Sequence, residues 1–65
     1  MIGEKIKELR ISNNLTQEEF GKIFNVTGAT VSRWESDKMF PDYVLLVMIK
    51  KHFNVTMDYL FGFED

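Results

Sequence analysis

The stretch Leu15-Thr16-Gln17-Glu18-Glu19-Phe20-Gly21-Lys22-Ile23-Phe24-Asn25-Val26-Thr27-Gly28-Ala29-Thr30-Val31-Ser32-Arg33-Trp34-Glu35 decides the fold. One short pattern recurs within it: an apolar residue, a threonine, three residues, then a second apolar residue. It runs from Leu15-Thr16 to Phe20 and from Val26-Thr27 to Val31, and a third copy runs from Val55-Thr56 to Leu60. Each copy has the form of a helix start. A threonine at the N-cap accepts a hydrogen bond from a backbone N–H that has no partner inside the helix. The flanking apolar residues close over that first turn as a hydrophobic staple. Glu19, three residues after Thr16, completes a capping box. Helix starts are therefore expected near residues 16, 27 and 56.

Working outward, a helix over about 17–24 turns Phe20, Ile23 and Phe24 inward, and one over about 28–36 turns Val31 and Trp34 inward. Only Asn25-Val26-Thr27 separates them. Two short helices on so short a turn form a helix-turn-helix unit, whose second helix enters a DNA major groove by its N-terminal end. Upstream, Ile2, Ile6 and Leu9 make the stripe of a helix over about 2–13, ended by Ser12-Asn13-Asn14. Downstream, Ser36-Asp37-Lys38 breaks the third helix. Pro41, tolerated in a first helical turn, opens a fourth helix over about 42–53, with Leu45, Met48 and Ile49 as its core stripe. A fifth covers about 57–61. The expectation is an all-α chain: one five-helix domain over residues 1–65, with few residues left for strands.

Composition narrows the function classes. A chain of 65 residues buries only about 60% of its unfolded surface, so its core must be dense, and 45% hydrophobic residues with six Phe supply it. With no Cys and one His, His52, neither a disulfide framework nor a structural zinc site is expected. Met1-Ile2-Gly3-Glu4-Lys5 carries charge at once and is no signal peptide. The longest apolar run, Tyr43 to Ile49, falls far short of the roughly 20 residues of a membrane span. A soluble, cytoplasmic chain without metal or cofactor is expected. No acid–base pair, nucleophile constellation or glycine-rich phosphate loop points to an enzyme or a small-molecule substrate. The net charge of −2 runs against nucleic-acid binding, but the sign of one face matters more than the sum.

Three stretches carry a resemblance: Leu15-Thr16-Gln17-Glu18-Glu19-Phe20, then Val31-Ser32-Arg33-Trp34-Glu35, then Pro41 followed by Leu45, Ile49, Phe53, Val55 and Leu60. In order and spacing they resemble the Cro and lambdoid-repressor (Xre-like) type of helix-turn-helix regulator, over nearly the whole chain. The resemblance implies a five-helix domain that binds operator DNA as a dimer, typically a transcriptional repressor. It also implies that Arg10 and Glu35 pair and fix the first helix against the third, a structural role suited to a bidentate Arg–carboxylate bond. Two departures stand out. The family often has Gly where this chain has Asp37, and long polar side chains where it has Gly28 and Ala29.

The DNA-facing candidates follow. Arg33 faces outward if Val31 and Trp34 face in, and suits a bidentate contact to guanine, a phosphate contact, or solvent. Thr30 and Ser32 reach either base edges or phosphates, while Thr30 could instead bond locally in the first turn. Ala29 suits a thymine methyl. Gly28 permits close backbone approach or is simply a loose helix start, and Thr27 beside it both caps and faces DNA. Gln17, supported by the resemblance, suits a phosphate at the start of the second helix. Lys38, and more weakly Ser36, lie where a loop would follow the DNA backbone. Lys5, Lys7, Lys22, Lys50 and Lys51 read as ordinary solvated charges. Each protomer would then neutralise about two to four phosphates, giving a modest salt dependence.

Weak binding by one protomer makes a partner important. The fourth helix has more apolar residues than one face can bury: either it packs on both sides within the one domain, or Val44 and Val47, with Phe61 and Phe63, form a homodimer surface, which is the expectation. A two-fold dimer sets its reading helices about 34–36 Å apart and calls for an imperfect palindrome. The competing function is a protein-interaction module that keeps the fold without binding DNA. Net charge, Asp37, Asp42 and Gly28-Ala29 favour it, whereas Arg33, Gln17, Thr30 and Lys38 favour DNA.

Overall fold

The computed structural model describes residues 2–64; Met1 and Asp65 lie outside the described residues. Five helices follow one another in the predicted order: α1 (Ile2–Ser12), α2 (Gln17–Ile23), α3 (Gly28–Glu35), α4 (Tyr43–Phe53) and α5 (Met57–Leu60). No strand occurs among the described residues. No helix is long and apolar enough to cross a membrane.

The helix starts work as their chemistry demands. The hydroxyls of Thr16, Thr27 and Thr56 accept the N–H groups of Glu19, Thr30 and Tyr59 at 3.0, 3.1 and 2.9 Å. Glu19 completes the capping box by accepting the Thr16 N–H at 2.8 Å. The Thr16 backbone N–H first, and the Thr16 side chain second, hold the Glu19 carboxyl below the usual range. The start of α4 differs from expectation. Asp42 caps it through the Leu45 N–H at 2.9 Å, so Pro41 is buried just before the cap and not in the first turn.

The helix ends share one device. Asn14, Asn25, Asp37, Asn54 and Gly62 all have φ between 55° and 81°, the left-handed region that Asn, Asp and Gly enter most readily. After each, the next N–H reaches back five residues: Leu15 to the Arg10 carbonyl, Val26 to Gly21, Lys38 to Arg33, Val55 to Lys50 and Phe63 to Asp58, at 2.8–3.1 Å. This closure satisfies carbonyls that a bare helix end leaves unpaired. Asn13, Phe24, Ser36 and Phe61, expected as last helical residues, are turn and cap residues here.

Ile2, Ile6 and Leu9 of α1 meet Phe20, Phe24, Val31, Trp34, Leu46, Ile49 and Leu60 in one buried core. The Phe20 ring stacks on Phe53 at 5.5 Å and tilts against Phe24 at 5.1 Å. Two expected core positions are corrected. Ile23 lies at the surface, because Phe20 and Phe24 already fill the inner face of α2. Met48 also faces out, and Leu46 takes its place beside Ile49, with Leu45 and Phe53 half-buried around them. On the α1–α5 flank, the Tyr59 hydroxyl donates to Glu8 at 3.1 Å and the Lys5 ammonium lies 5.0 Å above the Tyr59 ring. Burial, helped by Glu8, pushes the Tyr59 phenol above its ordinary range.

Candidate nucleic-acid interface

The turn between α2 and α3 is set by close approach. A Cβ on Gly21 would stand 2.5 Å from the Val26 carbonyl oxygen, so only glycine lets the chain double back there. A Cβ on Gly28 would meet Glu18 Cγ at 2.9 Å and the Glu18 backbone nitrogen at 3.2 Å. The missing side chain of Gly28 thus serves the packing of α3 on α2, a role the sequence reading did not foresee. Gly21 carries a signal of the same packing in the sequence, as a glycine inside a short amphipathic helix.

With Val31 and Trp34 buried, α3 and its C-cap turn one stripe to solvent: Ala29, Ser32, Arg33 and Ser36, all exposed. Their spacing of three, four and seven residues is one helical face. Arg33 and Lys38 are exposed and make no ion pair among the described residues. Lys38 follows the left-handed Asp37, held by its backbone N–H to the Arg33 carbonyl at 2.9 Å.

The hydroxyls are partly committed. Thr27 accepts the Thr30 N–H and donates to the Thr30 hydroxyl at 3.1 Å, which leaves the Thr30 hydroxyl hydrogen available to a third group. Ser36 donates to the Ser32 carbonyl at 3.0 Å, so its hydroxyl has only lone pairs left to offer. The half-buried Gln17 donates to Glu35 Oε1 at 3.2 Å, with one amide hydrogen and its carbonyl oxygen remaining.

Glu35 is where three helices meet. Arg10 Nε donates to its Oε2 at 2.5 Å and Arg10 Nη2 to its Oε1 at 3.1 Å. Arg10 Nη1 donates to the Leu15 carbonyl at 3.0 Å, so α1 also holds the entry to α2. The hydrogen bond to Glu35 raises the Arg10 pKa above its ordinary value. Both side chains are largely buried.

An open groove runs between the first turns of α2 and α3, lined in part by Gln17, Glu18, Lys22, Thr27, Ala29 and Ser32. Lys22, which reads as a solvated charge in the sequence, is brought by the groove beside the α3 candidates. Its signal was available, since Lys22 lies one helical turn after Glu18 on the same face. The Asp37 carboxylate accepts the Gly3 N–H at 3.1 Å, bonding to the start of α1.

Of the candidate dimer residues, Val44, Phe61 and Phe63 are exposed and Val47 is half-buried. The Phe61 and Phe63 rings stack at 6.4 Å. Phe40, Tyr43 and Met48 add further exposed apolar surface. His52 packs edge-on against Phe24 and Phe53.

Comparison with known proteins places this geometry. A family profile described as helix-turn-helix matches residues 6–60. The HTH-type transcriptional activator BcrR of Enterococcus faecalis is 40% identical over 62 residues, which are 95% of this chain and 30% of BcrR. An HTH-type transcriptional regulator of Methanocaldococcus jannaschii is 36% identical over 61 residues, 94% of this chain and 92% of that protein. Among solved structures, the P22 c2 repressor in complex with synthetic operator 9T superimposes with a TM-score of 0.88. It is 26% identical, with 98% of this chain and 97% of the repressor chain covered. The chain spans half or less of the length of the first curated relatives it matches.

Proposed function

The chain belongs to the helix-turn-helix family of DNA-binding transcriptional regulators, and from that premise we propose that it reads double-stranded DNA in the major groove with α3, as a homodimer. The observation that carries this reading is the solvent-facing stripe of Ala29, Ser32, Arg33 and Ser36 on a helix whose opposite face is locked into the core by Val31 and Trp34. A helix so held presents its side chains in one fixed register, which base reading requires. The superposition on a repressor bound to operator DNA supports the same reading.

Arg33 carries the base contact, with guanine O6 and N7 as its preferred partners. Thr30 and Ser32 offer hydroxyls, and Ala29 an apolar contact. Thr27 and Gly28 bring the start of α3 against the DNA, while Gln17, Ser36 and Lys38 hold phosphates on either side. Arg10 and Glu35 keep the reading helix in place and touch no DNA. Val44, Val47, Phe61 and Phe63 form the two-fold contact, supported by the exposure of three of the four. The likeness to an operator-bound repressor supports action by occlusion, hence as a repressor: a bound dimer blocks whatever must share its site. On this reading it works in the cytoplasm, without cofactor, as one domain over residues 1–65.

Selection from a random duplex pool at low salt tests this. Enrichment of an imperfect palindrome with half-sites about 10 base pairs apart is the expected result. A second reading, a protein-interaction module, is favoured by the net charge of −2 and the exposed Phe40, Tyr43 and Phe63. It predicts no enriched sequence and no response to duplex DNA.

A further inference from the structure

Glu18 and Lys22 are the charged side chains that line the groove between the first turns of α2 and α3. Both are exposed, and they make no ion pair with each other or with any other described residue. The Glu18 stem lies over α3's first turn, close enough that Gly28 has no room for a Cβ. Its neighbour Glu19 is drawn back into the capping box on Thr16 and does not line the groove. One carboxylate is therefore kept beside the start of the reading helix, while the adjacent one is turned away.

Resting on the DNA-binding reading above, we propose that Glu18 is an affinity brake: its carboxylate opposes the approach of DNA phosphates to the groove and cancels the attraction of Lys22. Like charges brought within a few ångströms repel even across solvent, and salt weakens that repulsion. The groove then contributes no net counterion release, and binding depends on the base contacts of α3 and on the phosphate contact of Lys38 outside the groove. Phosphate repulsion of this kind acts alike on every sequence, since phosphates carry no sequence information.

Glu18→Gln and Glu19→Gln make the same change in net charge, one inside the groove and one outside it, and Gln keeps the capping box intact. Both variants and the unmodified chain are titrated with random-sequence duplex DNA at several salt concentrations, after circular dichroism shows that each is folded. Glu18→Gln is expected to bind about three- to tenfold more tightly at low salt. Its salt slope should be steeper by about 0.9, the value of one neutralised phosphate. Adding Lys22→Ala to Glu18→Gln should remove the gain, and Glu19→Gln should bind much as the unmodified chain does. Equal gains in both Gln variants, or none in Glu18→Gln while the unmodified chain binds DNA, overturn the brake and leave the DNA reading standing. No binding by any of these proteins overturns both.

Discussion

The Asp37 carboxylate accepts the Gly3 backbone N–H at 3.1 Å, across 34 residues of sequence. Asp37 ends α3 in the left-handed conformation while its side chain serves the first turn of α1. An acidic residue beside a DNA-reading helix looks unfavourable in the sequence. In the fold it works as a cap supplied from another segment, and it adds a negative charge where α1 has its positive dipole end.

Replacing Asp37 separates its two duties. Asp37→Gly keeps the left-handed turn and loses only the cap, an expected cost of about 1 kcal/mol. Asp37→Ala loses the cap and keeps a Cβ in the left-handed region without the short polar side chain that helps Asp tolerate it, and should cost about 2 kcal/mol. Urea denaturation of both variants gives the order. Equal stabilities would mean that the turn conformation adds nothing.

Arg10 and Glu35 should behave as one unit. Removing either with Ala leaves a largely buried charge unpaired, at about 3–5 kcal/mol. The double Ala variant should cost clearly less than the two single losses combined. Arg10→Met with Glu35→Met should recover stability, as apolar replacement of buried pairs often does. Denaturation midpoints across this set measure the coupling.

Gly21→Ala drives a methyl into the Val26 carbonyl oxygen, which stands 2.5 Å from the new atom. The turn must open, at an expected cost of about 1–3 kcal/mol. Because that turn sets α3 against α2, DNA affinity should fall even at temperatures where the variant remains folded. Thermal melting and DNA titration together check this.

Stability should fall at both ends of the pH range for different reasons. Glu19 has a lowered pKa from an ordinary value of 4.5, so its contribution is present above that pH and is lost as pH falls through the folded value. Tyr59 has a raised pKa from an ordinary 10.0. Its contribution is present below that pH and is lost as pH rises through the folded value. Tyr59→Phe should remove part of the alkaline loss and leave the acid limb unchanged, as measured by chemical denaturation across pH.

The turns were the legible part of this chain. Asn14-Leu15-Thr16, Asn25-Val26-Thr27 and Asn54-Val55-Thr56 each close one helix on a left-handed Asn and open the next on a capping Thr. The threonines alone located three helix starts; the asparagines before them carry as much local information. Helix α4 was harder because Tyr43 to Ile49 is apolar at every position. Periodicity cannot choose a face when every face is apolar. The choice comes from tertiary contacts, including Phe53 stacked on Phe20, that put Leu46 inside and Met48 outside. Arg33 stood out because its neighbours Val31 and Trp34 fixed the phase of α3. Lys22, Gly21 and Gly28 take their roles from α2 lying against α3, a proximity that a linear reading does not display.

The most direct measurement is the sequence preference of Arg33→Ala beside that of Lys38→Ala on the selected palindrome, with every base of one half-site varied in turn. Arg33→Ala should lose about 1–3 kcal/mol of discrimination at one base pair per half-site and keep its preferences elsewhere. Lys38→Ala should weaken binding evenly across all sequences and reduce the salt slope by about 0.9. An Arg33→Ala variant that keeps full discrimination at every position would contradict the account, since α3 would not be reading bases through the residue its exposed stripe puts forward.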